Sequence, residues 1–196
     1  MISVLDYGAG NLRSVQNTLE AVGAKFEIVR DTEGLQRGAK ILLPGVGNFG
    51  QMMRALDQLE VRAALKGRIA AGVPFLGICL GLQALFQRSA EAPDVAGLGI
   101  FEGTVERFAP GVRIPHMGWN TVQPVKASRL LASGREPYVY FANSYCVPVC
   151  AATAATCTYS QPFTAVLESD NVFGVQFHPE KSGAAGLEIV RRFAAL

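Results

Sequence analysis

The chain has 196 residues, 49% of them apolar and 17% charged, with 18 Lys plus Arg against 16 Asp plus Glu and a formal net charge of +2. So much apolar material excludes intrinsic disorder, because its burial can offset chain entropy. The near balance of charge excludes a strong polyanion binder, which needs a dense cationic face, so no nucleic-acid partner is expected.

In chain order, Ile2–Asp6 is a short apolar run ending in turn-forming residues. It reads as a first strand rather than a signal peptide, since no basic segment precedes it. Leu12, Val15, Leu19 and Val22 recur at helical spacing, Lys25–Val29 and Ile41–Leu43 read as strands, and Phe49, Met52, Met53, Leu56, Leu59 and Ala63 as one more helix. Val73–Ile78 is a fourth strand, followed at once by a helical pattern at Leu80, Leu82, Leu85 and Phe86. Between Gly99 and Leu167 short β-rich stretches are punctuated by Gly, Pro, Ser and Asn, the mark of largely antiparallel strands. Val172–Gln176 adds a strand and Leu187–Phe193 a final helix. The expected class is α/β: one domain over residues 1–196, with a mostly parallel sheet flanked by helices and an added antiparallel region.

Two long stretches, 69–87 and 137–167, carry no charge. The first is broken by three glycines and a proline and the second by Asn143, Ser144, Pro148 and Pro162, so neither suits a membrane span. A cytoplasmic location follows as the expectation. The four cysteines, Cys79, Cys146, Cys150 and Cys157, form no CxxC pair, and only His116 and His178 are available as imidazoles. No metal site or cofactor is expected, and Cys146, Cys150 and Cys157 read as strand-core residues.

The most informative segment is Gly77-Ile-Cys79-Leu-Gly81, at the junction of a strand and a helix. G-x-C-x-G is the thiol counterpart of the G-x-S-x-G nucleophile elbow. The turn is so tight that residues two before and two after the nucleophile cannot carry a Cβ. A thiol lifted to a helix N-terminus is shifted toward the nucleophilic thiolate. The bland reading, a small buried hydrophobe, explains neither glycine.

A thiol nucleophile works best beside an imidazole that takes and returns its proton. His178 follows the apolar strand, and in His178-Pro179-Glu180 the proline holds His178 extended, letting Glu180 orient the ring as a third partner. His116, with no carboxylate nearby in sequence, reads as a loop or interface residue. Oxyanion stabilisation needs backbone N–H donors. Leu80, directly after Cys79, offers one, and Pro44-Gly45-Val46-Gly47 after the third strand offers another at Val46 and Gly47, unless it is only a tight turn.

G-I-C-L-G-L-Q with a later Q-F-H-P-E resembles the class I, or triad, glutamine amidotransferases. Asp6–Asn11, Pro44–Gly50, Pro115–Asn120 and His178–Gly183 in that order are similar to the glutaminase subunits of imidazole glycerol phosphate synthases. The resemblance implies a Cys79, His178 and Glu180 triad that hydrolyses glutamine through a thioester. It also implies glutamine contacts at Gly45, Gln83, Ser144 and Tyr145, and a Val46 peptide whose reorientation switches activity. It further implies a heterodimer with a (β/α)8-barrel cyclase, which takes the ammonia to form imidazole glycerol phosphate and an aminoimidazole carboxamide ribotide in histidine biosynthesis. Asn11, Met117, Trp119 and Lys181 match positions that face the cyclase, although Trp119, the sole tryptophan, also suits a core. Asn143 departs from the family pattern, standing where histidine is common. The alternatives are another triad amidotransferase, such as a pyridoxal phosphate synthase glutaminase or a guanylate synthase module, and an inactive scaffold on the same fold.

Overall fold

The computed structural model describes residues 1–9 and 11–196; Gly10, within the Asp6–Asn11 motif, lies outside them. Its first half alternates strands and helices: β1 (Ile2–Leu5), α1 (Leu12–Ala21), β2 (Phe26–Val29), α2 (Thr32–Arg37), β3 (Lys40–Leu43), α3 (Phe49–Gln58), α4 (Arg62–Ala70) and β4 (Phe75–Ile78). A one-turn helix, α5 (Leu80–Gln83), leads into β5 (Phe86–Ser89). Then follow β6 (Phe101–Arg107), β7 (His116–Thr121), β8 (Gln123–Pro124), β9 (Tyr138–Asn143), β10 (Tyr145–Cys146), β11 (Thr153–Tyr159), β12 (Gln161–Ser169), β13 (Val172–Val175) and α6 (Gly183–Ala195).

The main sheet runs β2-β1-β3-β4-β13-β12-β11-β8. Its first five strands are parallel, and β12, β11 and β8 extend it antiparallel. This is the expected class, with β13 returning late in the chain to pair with β4. Buried strands such as β4, apolar throughout, are covered on both faces by two clusters of buried side chains.

Two local expectations are corrected and one helix is added. The helical period from Phe49 to Ala63 is two helices, because Glu60 adopts a positive φ of 56° and breaks the ladder between them. The segment Thr32–Arg37, which has no long apolar period, is a helix capped by the Asp31 carboxylate, which accepts the Gly34 N–H. Phe86 belongs not to a helix but to β5, pairing in parallel with β6.

A two-stranded antiparallel ribbon, β7 and β9, stands outside the main sheet. Phe141 fastens it, its ring edge-on to Phe163 at 5.7 Å and to Phe177 at 5.8 Å. Burying that ring contributes roughly 1.5–3 kcal/mol, and Phe141→Ala would cost about 3–5 kcal/mol through the cavity left behind.

Candidate active site

Three adjacent parallel strands deliver the site. The carboxyl end of β3 leads into Pro44–Gly47, that of β4 into Cys79, and that of β13 into Gln176, Phe177 and His178. Carboxyl ends of parallel strands are where such sheets bind ligands, since the chain leaves them through open turns.

Cys79 has φ 52°, a backbone state costing a non-glycine residue on the order of 1–3 kcal/mol. Its N–H donates to the Val175 carbonyl at 2.7 Å, which ties the elbow to β13. The flanking glycines close the turn. A Cβ on Gly77 would lie 2.4 Å from the Gly81 carbonyl oxygen, and one on Gly81 would lie 2.1 Å from the Leu43 carbonyl oxygen. The elbow is therefore packed directly on β3.

His178 is fixed by backbone. Its N–H donates to the Tyr140 carbonyl at 2.9 Å, and the Ser182 hydroxyl donates to the His178 carbonyl at 2.6 Å. Its Nδ1 lies 2.8 Å from Glu180 Oε1, with both side chains almost wholly buried. Pro179 begins a single 3-10 turn that brings Glu180 under the ring. Burial alone would lower the His178 pKa; the charge and hydrogen bond of Cys79, then those of Glu180, outweigh it and raise the pKa. That balance favours the imidazolium form of His178. The second carboxylate oxygen of Glu180 finds no partner among the described residues, so His178 carries its neutralisation.

A cleft of about 330 Å³ opens over Cys79, enough for a small metabolite. Among the residues expected in the site, Cys79, His178, Val46, Gly47, Leu80, Gln83, Ser144 and Tyr145 line it, and so do Met117 and Lys181. Glu180 sits behind His178. Gly45 is buried beneath the elbow, where a Cβ would lie 2.4 Å from the Gly81 nitrogen, and is not part of the cleft wall. Asn11 stands at the N-cap position of α1 without a side-chain cap bond and is not among the cleft-lining residues.

The Leu80 N–H opens α5 and has no intrahelical partner. The Val46 N–H is engaged by the Tyr7 hydroxyl at 3.1 Å. Gln83 is turned inward: its Nε2 donates to the Tyr145 carbonyl at 2.9 Å and to Gln176 Oε1 at 3.0 Å. Asn143 Nδ2 donates to the same carbonyl at 2.9 Å, leaving the Tyr145 carbonyl doubly occupied. The helix expected over Leu80–Phe86 is a single turn, so its dipole contributes little at Cys79.

His116 is not a loop or interface residue. It is buried between Tyr159, with ring centroids 3.9 Å apart, and Phe141 at 4.9 Å, and burial lowers its pKa to about 4. Cys146 and Cys157 are buried strand residues whose thiols burial pushes up to about 12, whereas Cys150 lies in the partly exposed turn before β11. The sequence reading missed Tyr7, Gln176 and the cleft-lining Glu91, whose Oε2 accepts the Phe49 N–H at 2.7 Å. Only Gln176 had a local signal, since two residues before His178 on an extended segment puts both on one face.

The sequence pattern of the family "Glutamine amidotransferase class-I" matches residues 3–195. The chain belongs to the class I glutamine amidotransferases. It is 45% identical over 197 residues to "Imidazole glycerol phosphate synthase subunit HisH" of Methanothermobacter thermautotrophicus, covering all of this chain and 98% of that protein. It is 41% identical over 199 residues to "Imidazole glycerol phosphate synthase hisHF, chloroplastic" of Arabidopsis thaliana, covering 98% of this chain but 34% of that one. A solved structure titled "Crystal structure of glutamine amidotransferase" shares its fold, with a TM-score of 0.78, 19% identity, and coverage of 100% of this chain and 99% of the other.

On this amidotransferase the ribbon edge beside the cleft is apolar and exposed. Met117 is 65%, Trp119 46% and Tyr138 58% accessible, with the Trp119 and Tyr138 rings stacked at 5.7 Å. Trp119 is thus a surface residue rather than part of the core. Lys181 Nζ lies 5.7 Å over the Tyr140 ring on the same rim. Among the described residues no helix is long and apolar enough to cross a membrane.

Proposed function

We propose that this amidotransferase, the glutaminase subunit of an imidazole glycerol phosphate synthase in histidine biosynthesis by its full-length likeness to the subunits of that name, cleaves glutamine with Cys79, His178 and Glu180. His178 takes the Cys79 proton, and the sulfur attacks the side-chain carbonyl of glutamine. The oxyanion is held by the Leu80 N–H and, once turned into the cleft, the Val46 N–H. His178 then protonates the departing nitrogen, releasing ammonia and leaving a Cys79 thioester. Water, deprotonated by the same imidazole, attacks the thioester; the sulfur leaves and glutamate is released. Glu180 keeps the ring in the tautomer that presents its other nitrogen to the sulfur.

Glu91, a carboxylate on the cleft wall, suits the ammonium of a free amino acid. The ammonia passes to a barrel-type cyclase subunit, with the Met117, Trp119, Tyr138 and Lys181 rim as the docking edge and Asn11 as a further contact. The relative named hisHF, of which this chain spans 34%, supports that pairing by carrying additional sequence in one chain. The reading also places the chain in the cytoplasm.

The observation that carries this chemistry is the Glu180–His178 hydrogen bond aimed at a thiol on a strained elbow. It is tested by glutamate release from glutamine by the isolated chain, then with a cognate cyclase and its nucleotide ligand. Cyclase-stimulated release that Cys79→Ala abolishes is the expected result. Full activity in the Cys79→Ala variant would overturn it.

A further inference from the structure

Gln176 has no exposed surface, yet its Nε2 lies 3.5 Å from Cys79 Sγ. A carboxamide has a donor end and an acceptor end, and only its neighbours decide which faces where. Here the neighbours leave no choice. The Tyr145 carbonyl can only accept, so the end of Gln83 lying 2.9 Å from it must be the NH2 group. That same NH2 lies 3.0 Å from the side chain of Gln176, which must meet it with oxygen. The remaining end of Gln176, facing the sulfur, is then the donor.

We propose that Gln176 is a catalytic residue that donates a hydrogen bond to the Cys79 sulfur and holds it as thiolate, and that Gln83 is a positioning residue that fixes the polarity of the Gln176 amide. The proposal rests on Cys79 being the nucleophile. It gives Gln83, which also lines the cleft, a structural partner in addition to the substrate contact expected from sequence. The one-turn α5 explains the need: with little helix dipole at Cys79, the sulfur depends on His178 and on an oriented amide. An N–H donor acts on the charged form selectively, because a thiolate accepts hydrogen bonds far better than a thiol.

The other titratable groups around the sulfur are Tyr7 beyond the end of β1, His178 with Glu180 behind it, and Glu91 and Lys181 on the cleft wall. None of them is substituted in the variants that follow.

The test is the pH dependence of Cys79 alkylation by iodoacetamide in the full chain, with Cys79→Ala supplying the background from the other cysteines. In Gln176→Met the midpoint should move up by about one pH unit, roughly a tenfold loss of thiolate at any pH below both midpoints. Gln176→Glu should shift it further, by placing a negative charge against the sulfur. Gln83→Met should shift it the same way by less, since Gln176 stays but is free to turn, and it decides the matter if Gln176→Met does not fold. In the cyclase complex kcat should fall with the thiolate fraction while KM for glutamine holds. An unmoved midpoint in folded variants, whatever their melting temperature, would overturn the proposal. Glutaminase activity that survives in Cys79→Ala would instead overturn the nucleophile assignment beneath it.

Discussion

The phenolic oxygen of Tyr7 lies 3.1 Å from the Val46 nitrogen and 3.2 Å from the Val46 carbonyl oxygen, clasping one residue of the Pro44–Gly47 segment at both its polar groups. Burial raises the Tyr7 pKa to about 12, so the phenol stays neutral and can both accept and donate. While the clasp holds, the Val46 N–H is spent on Tyr7 and cannot meet an oxyanion over Cys79. One such donor is worth roughly 10²–10³ in rate. Tyr7→Phe keeps the ring and removes the clasp. Glutamine turnover by the partner-free chain should therefore rise by about tenfold or more, with the rate in the cyclase complex little changed. An unchanged or lower partner-free rate in a folded variant would show that Tyr7 is only a packing residue.

In the proposed mechanism Glu180 orients the base, and its second oxygen has no partner among the described residues. Glu180→Gln preserves shape but lets the amide offer an N–H to His178 Nδ1, stabilising the wrong tautomer and removing the charge that supports imidazolium. Steady-state assays of the complex should show kcat lower by about 10²–10⁴ with a similar KM. A loss of less than a few-fold would remove Glu180 from the triad.

His116 sits neutral in an aromatic slot, its pKa lowered to about 4 by burial. Between pH 6.5 and 4 the unfolded chain binds a proton that the folded chain refuses, so the stability His116 contributes is complete above 6.5 and lost as pH falls through 4. His116→Phe fills the slot without that titration. Urea midpoints at pH 7 and pH 4.5 should drop further for the wild type than for the variant; equal drops would refute the assignment.

Trp119 and its stacked neighbour Tyr138 form the exposed aromatic centre of the proposed cyclase-facing rim. Trp119→Ala should leave thermal melting of the isolated chain nearly unmoved while weakening cyclase binding by about 2 kcal/mol, some 30-fold in Kd. Titration calorimetry with the cyclase reads both the affinity and the heat. Unaltered affinity would place the docking edge elsewhere.

The sequence by itself determined the strand–elbow–helix junction and the His-Pro-Glu turn, because both are local. Gly77 and Gly81 stand at fixed offsets from Cys79, and Glu180 reaches His178 across one proline. The alternation of apolar strands and amphipathic helices likewise set the parallel half of the sheet. Shorter elements escaped: α2 has too few residues for a period to show, and Phe86, which reads as helix, is a strand residue because β6 pairs with it. What only the tertiary structure decided was partnership at long range. β13 returns beside β4 after more than ninety residues and brings Gln176 and His178 to Cys79. Tyr7 reaches Val46, and Gln83 reaches Gln176. A hydrogen bond between residues so far apart leaves no trace in local spacing, since it exists only after the sheet has closed and water has been excluded from both partners.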